Sequence, residues 1–69
     1  MMPTLEQLAT LNKFLLNLYS MKVAPEFVKF SQKDGKPQIF ISVEPIHDIR
    51  MERWFIINWK GELDKDYGK

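Results

Sequence analysis

The chain has 69 residues, of which 45% are hydrophobic and 28% are charged, a composition typical of a folded domain and not of a disordered tail or a coiled coil. It contains no cysteine, which excludes disulfides, thiolate metal sites and a cysteine nucleophile. The net charge is +1 and both signs are spread along the chain, whereas proteins that bind nucleic acid through its phosphates usually cluster Lys and Arg. We expect one cytoplasmic domain over residues 1–69, because no apolar run approaches the ~18 residues of a membrane span and the first residues lack a signal-peptide pattern.

The first segment predicts a helix over residues 5–20. Thr4 and Gln7 have the spacing of a capping box, in which each side chain accepts a hydrogen bond from the other residue's backbone N–H. At about 100° per residue, the polar side chains form one narrow stripe and the apolar ones cover more than half of the circumference. Because one small sheet covers only a narrower stripe, the surplus indicates either a larger core, which is the favoured interpretation, or a partner surface.

A hairpin is expected after the helix, which ends before Pro25 because proline disfavours helical geometry in the residue that precedes it. Residues 26–31 and 38–44 alternate between apolar and polar side chains, as strands with one buried face do. Asp34 and Gly35 between them supply the positive φ angles of a tight turn.

Residues 54–59 predict a third strand, and it is apolar on both faces, which is typical of a strand at the centre of a sheet or in an interface. Residues 45–53 are interpreted as a loop or a single helical turn, and the tail 62–69 is expected to fray. The predicted fold class is therefore α+β, with one N-terminal helix on a three-stranded antiparallel sheet in the order α-β-β-β. The helix side chains expected to face the sheet are Leu8, Leu11, Leu15 and Leu18. The sheet side chains expected to face them are Val28, Phe30, Ile39, Ile41, Val43 and alternate residues of 54–59.

His47 is the single histidine, and three carboxylates lie near it in the sequence, those of Glu44, Asp48 and Glu52. This combination suits a general base or a hard-metal site. A solvated surface loop is favoured instead, because no nucleophile motif is present and the carboxylate spacing matches no metal loop. We expect no enzymatic activity, no cofactor and no bound metal.

The candidate interaction residues are aromatic and arginine side chains, namely Trp54, Trp59, Phe27, Phe40, Arg50 and Arg53. Such residue types dominate the binding energy at the centres of protein interfaces. The predicted function is a non-catalytic protein–protein interaction module, a small regulatory or accessory protein with a protein partner. The alternative is a nucleic-acid-binding module in which Arg50, Arg53 and Lys60 contact phosphates while the tryptophans stack on bases, and it is disfavoured because nearby acidic residues cancel the positive charge.

A homodimer is predicted on physical grounds. A chain of this length has a small core, and no disulfide or evident metal site compensates for it. Closed two-fold symmetry is the commonest way in which soluble chains bury self-complementary apolar patches. The two candidate interfaces are the helix face that carries Ala9 and Leu16 and the strand at 54–59.

Several short motifs follow one another in a distinctive order: Pro3-Thr4-x-x-Gln7, Leu16-Asn17-Leu18-Tyr19, Pro25, Asp34-Gly35, Ile39-Phe40-Ile41 and Gly61. This order, which covers most of residues 3–61, resembles a family of short cyanobacterial proteins of unknown function. The chain departs from that family by the charged residues between Val43 and Trp54. The resemblance implies a small α+β unit in a cyanobacterium-like cell, and it implies no functional residue because the family carries no assigned activity.

Overall fold

A computed structural model describes residues 2–44 and 54–65 of the chain. The elements in chain order are α1 (Leu5–Met21), β1 (Pro25–Lys33), β2 (Lys36–Val43), β3 (Trp54–Ile57) and β4 (Leu63–Lys65). The strands form one antiparallel sheet in the order β1-β2-β3-β4, and α1 packs on one of its faces. The predicted α+β class and the order of helix before strands are confirmed, while the predicted loop at 45–53 lies outside the described residues.

Both ends of α1 have local causes. The capping box is present, because the Gln7 N–H donates to Thr4 Oγ1 at 3.1 Å and the Thr4 N–H donates to Gln7 Oε1 at 2.9 Å. At the other end Lys22 takes a left-handed conformation with φ 60°, and the Val23 N–H donates to the Leu18 carbonyl at 3.0 Å. The helix therefore ends one residue later than predicted, and the chain turns sharply enough to bring Val23 into the core.

The predicted hairpin is confirmed and is longer than the sequence pattern indicated. Asp34 and Gly35 have φ angles of 54° and 76°, and two successive positive φ angles are those of a type I′ turn. The backbone twist of this turn matches that of the flanking strands, so the ladder runs up to the turn itself, where Lys33 pairs with Lys36.

The sheet has four strands: the three predicted ones, which are its main strands, and a short fourth strand, β4. The third strand is two residues shorter than predicted because Asn58 begins a turn: its Oδ1 accepts the backbone N–H groups of Lys60 and Glu62 at 2.9 and 3.0 Å. This turn returns the chain alongside β3, where Ile57 pairs with Leu63. Part of the tail that was predicted to fray is therefore an edge strand.

The core lies between α1 and the middle of the sheet, and its buried residues are Leu11, Phe14, Leu18, Val23, Ile39, Ile41, Val43 and Ile57. Phe55 packs against this core, and its ring centroid lies 4.9 Å from that of Phe14. Two residues predicted to face the core, Leu8 and Phe30, are exposed. Phe30 pairs with the buried Ile39 and so lies on the helix side of the sheet, but α1 does not extend over β1 to cover it.

Candidate interaction surfaces

Three of the predicted interaction residues lie together on the sheet face that points away from the helix. In the ladder Ser42 pairs with both Phe27 and Trp54, which places these two aromatic rings on the same face as Ser42. Phe40, two residues before Ser42, shares that face. The ring centroids are 6.2 Å apart for Phe27 and Phe40, 6.4 Å for Phe27 and Trp54, and 5.7 Å for Phe40 and Trp54. We call this group, with the neighbouring Ile56, the aromatic face.

The rings of the aromatic face pack against one another at tilted or edge-on angles and do not form a flat surface. Phe40 and Trp54 are half-buried, while Phe27 is exposed. Beneath them Ser42 is wholly buried, and its hydroxyl donates to Glu26 Oε1 at 2.7 Å. The aromatic face is therefore an apolar cluster with a carboxylate at its border, which suits a protein contact better than a platform for stacked bases.

Trp59 does not belong to this group. It follows β3 in the Asn58 turn and lies at the opposite end of that strand from Trp54. Its ring has the Lys36 Nζ 4.2 Å and the Lys60 Nζ 5.5 Å from its centroid. We call Trp59, Lys36 and Lys60 the Trp59 corner. The predicted surface is thus divided into two, and its remaining members, Arg50 and Arg53, lie outside the described residues.

A third surface, which the sequence only suggested, lies on one side of α1. We call it the helix flank and define it as Leu5, Leu8, Leu16 and Tyr19. Leu5 and Tyr19 are each 82% exposed and Leu16 is 59% exposed. These residues lie roughly 80–160° around the helix from the buried Leu18, so the excess of apolar residues in the sequence is a surface and not core.

An open groove of about 760 Å³ continues the helix flank toward the start of β1. It is lined mainly by apolar side chains, among them those of Leu15, Tyr19, Val23 and Pro25. Because Leu15 and Tyr19 lie on α1 and Pro25 begins β1, the groove runs between the C-terminal half of α1 and the start of β1, and Tyr19 is the helix-flank residue that lines it.

Gln7 is the residue whose importance the sequence analysis missed. It is wholly buried, and its side-chain amide donates to the carbonyls of Pro37 at 2.9 Å, Asn58 at 2.9 Å and Ile57 at 3.3 Å. The same side chain that completes the capping box therefore ties the first turn of α1 to β2 and to the end of β3. The signal available in the sequence was a polar residue on the buried side of the helix, in line with Leu11, Phe14 and Leu18.

The residues considered for catalysis or metal binding are not assembled into a site in the described ranges. His47, Asp48 and Glu52 lie outside those ranges. Glu44 lies inside them, and its Oε1 accepts the backbone N–H of Ala24 at 3.1 Å, which is a structural contact. Within residues 2–44 and 54–65 no group of three or more His, Asp or Glu side chains is placed to hold a metal ion.

Comparison with family models, curated proteins and solved structures finds no match to this chain. The resemblance to short cyanobacterial proteins therefore stays a prediction, as does the cytoplasmic location. In the part of the chain that the structure describes, no helix has the length and apolar character needed to span a membrane.

Proposed function

We propose that this protein is a non-catalytic protein–protein interaction module, a small regulatory or accessory protein that self-associates. The observation that carries the proposal is the helix flank, where four large apolar side chains project from a helix whose other side already packs on the sheet. Contiguous apolar patches on soluble proteins mark interaction sites or aggregation hazards. A chain of 69 residues also has too little volume to bury all of its apolar side chains within one copy.

The aromatic face supports the same proposal with different residue types. It carries Trp54 and Phe40 in a packed cluster, and aromatic side chains in well-packed surroundings supply much of the binding energy of protein contacts. It is therefore the main rival to the helix flank as the surface that binds another chain.

Sedimentation equilibrium between about 1 and 100 µM protein tests self-association directly. We expect a mass above that of one chain at the higher concentrations, and we expect it to persist in strong salt because apolar contacts are not screened. A mass equal to one chain throughout this range would contradict the proposal.

The Trp59 corner favours a second candidate function, binding of single-stranded nucleic acid. In this candidate the exposed Trp59 indole ring stacks on a base when Lys36 and Lys60, whose ammonium groups lie over the ring, turn away from it to contact phosphates. Quenching of tryptophan fluorescence by oligothymidine measures this binding, with Lys36→Gln/Lys60→Gln as the control variant. Two phosphate contacts predict a slope of log affinity against log salt of about −1.4. Absence of quenching in low salt would remove this candidate.

A further inference from the structure

The side of α1 that carries the helix flank has the residue spacing of a coiled coil. Alternating steps of three and four residues connect Leu5, Leu8, Asn12, Leu15 and Tyr19. These are successive a and d positions of a heptad repeat, the positions that face a second helix. A straight helix drifts by only about 20° per heptad from this repeat, so two heptads stay on one side of α1. We call these five residues the heptad stripe.

The sheet covers a different side of α1 and leaves the heptad stripe available to a second helix. The core side chains of the helix lie at the c and g positions of the same heptads and are Leu11, Phe14 and Leu18. The Thr10 hydroxyl donates to the Gly61 carbonyl at 2.6 Å, and Thr10 lies about 180° around the helix from Tyr19. Within the stripe only Leu15 packs against the core.

Asn12 is the polar residue at the centre of the heptad stripe. Its side chain is exposed and makes no hydrogen bond with any other described residue. An asparagine at a single a position specifies the register of a helix pair, because in a parallel dimer it opposes its own copy and the two amides hydrogen-bond each other. An identical helix in the same register therefore supplies the partner that the Asn12 amide lacks within one chain.

We propose that two copies of this chain pair through the heptad stripe, with the two α1 helices parallel and in register about a two-fold axis that runs along them. Asn12 then opposes Asn12 of the second copy, with apolar layers on both sides of it. This inference rests on the proposed self-association and deepens it by assigning it one surface and one orientation.

The position of α1 on the sheet favours the parallel orientation. One side of the helix contacts the turn between β3 and β4, and on the stripe side the sheet continues with β2 and β1. An axis perpendicular to the helices would place both sheets on the same side of the helix pair. Paired helices lie about 8–10 Å apart, whereas β1 and β2 of both copies need about 20 Å at about 4.8 Å per strand. An axis along the helices places the sheets on opposite sides and removes this conflict.

The area of the helix flank sets the expected strength of the pair. Its four side chains expose about 500 Å² per chain, if fully exposed side chains of this size present about 150–250 Å² each. Two copies then bury about 1,000 Å², the least expected of a specific interface, so we expect a dimer Kd of micromolar order. Neither the heptad stripe nor Leu16, which borders it at an e position, carries a charge, so no like charges meet at the axis.

Opposite charges at position 12 test whether Asn12 opposes its own copy. Asn12→Asp and Asn12→Lys each bring two like charges together, so we expect either variant alone to raise the dimer Kd in sedimentation equilibrium about tenfold or more. An equimolar mixture of the two should recover a Kd within about threefold of the wild-type value, because unlike charges then oppose each other.

The matched controls are Asn17→Asp and Asn17→Lys, which introduce the same charges at an exposed position of α1 outside the heptad stripe. We expect both to dimerise like the wild type, alone and mixed. Far-UV circular dichroism confirms that each variant is folded. A mixture of the two position-12 variants that stays as weak as either variant alone would overturn the proposed pairing.

Single-cysteine variants test the orientation, because the chain has no cysteine of its own. In the parallel pair Leu5 opposes Leu5 of the second copy, whereas in an antiparallel pair centred on Asn12 it would oppose Tyr19. We expect Leu5→Cys and Asn12→Cys each to form a disulfide-linked dimer under mild oxidation, and Asn17→Cys to form none.

The possible outcomes separate this inference from the proposed function. A wild-type protein that is monomeric throughout would remove both. A dimer that persists in Asn12→Lys but is lost in Trp54→Lys would overturn the helix pair and leave self-association standing. Cross-linking of Asn12→Cys without cross-linking of Leu5→Cys would overturn the parallel orientation, and equal cross-linking of Asn12→Cys and Asn17→Cys would overturn the heptad stripe as the interface.

Discussion

Gln7 connects the helix to the sheet, and replacing it is the most informative perturbation of the fold. Its amide nitrogen donates hydrogen bonds to the carbonyls of Pro37, Ile57 and Asn58, and its amide oxygen accepts one from the Thr4 N–H. Gln7→Met keeps the length of the side chain and removes every one of these hydrogen bonds. The Asn58 carbonyl keeps a second donor, the Gly61 N–H at 2.9 Å, but the other groups lose a partner beside a side chain that is wholly buried.

The expected cost is large for a domain of this length. A buried polar group left without its hydrogen bond costs about 1–3 kcal/mol, so Gln7→Met should lower the free energy of unfolding by about 2–4 kcal/mol. At roughly 0.05–0.15 kcal/mol per residue the whole chain has only about 3–10 kcal/mol of stability. Gln7→Glu should cost more at neutral pH, because a carboxylate cannot donate to the carbonyls and repels them. The stability of the Gln7→Glu variant should recover in part at about pH 4, where a protonated carboxyl again donates one hydrogen bond.

Urea unfolding, followed by tryptophan fluorescence and far-UV circular dichroism at one fixed protein concentration, measures these differences. Lys13→Met is the matched control, since it places the same side chain at an exposed position of the same helix. If Gln7→Met and Lys13→Met differ by less than about 0.5 kcal/mol, the range of ordinary surface substitutions, Gln7 does not hold the helix to the sheet.

Four further substitutions test the turns and the end of the helix. Gly61→Ala should lower the free energy of unfolding by more than about 2 kcal/mol, because φ is +84° and the new Cβ would lie 2.9 Å from Glu6 Cβ. Gly35→Ala should lower it by only about 1 kcal/mol, because φ is +76° there but the space around the new Cβ is open. Equal losses in urea unfolding would refute the close approach of Gly61 to Glu6. Lys22→Gly should stabilise the chain by about 0.5–1 kcal/mol, since it relieves the left-handed conformation at φ 60°, and a loss in the same assay would contradict this. Asn58→Ala should destabilise the chain by about 1–2 kcal/mol and speed amide exchange in β4, and unchanged exchange there would show that the Asn58 turn does not hold the fourth strand.

The local elements could be predicted because their causes lie within a few residues of each other. The capping box of Thr4 and Gln7 and the turn at Asp34 and Gly35 are set by side chains and φ preferences that a sequence displays directly. The second function of Gln7 could not be predicted in this way, because the carbonyls that it reaches belong to residues 30 and 51 positions away.

The candidate surfaces were predictable only in part, for a similar reason. Strand alternation places Phe27, Phe40 and Trp54 on one face once the register is known. The same alternation extended the predicted third strand to Trp59. Nothing in the apolar pattern shows that the Asn58 side chain accepts backbone N–H groups and so ends the strand at Ile57. The position of the helix over the sheet decided which apolar residues stay exposed, and it depends on contacts between distant elements.

The dependence of unfolding on protein concentration tests the central claim, that this chain functions as a self-associating module. For a dimer that unfolds to separate chains, each tenfold dilution lowers the free energy of unfolding by about 1.4 kcal/mol. We predict that the urea midpoint falls clearly between about 100 and 1 µM wild-type protein, and that Leu16→Lys abolishes this dependence. A wild-type midpoint that does not move on dilution, together with a sedimentation mass of one chain, would contradict the account.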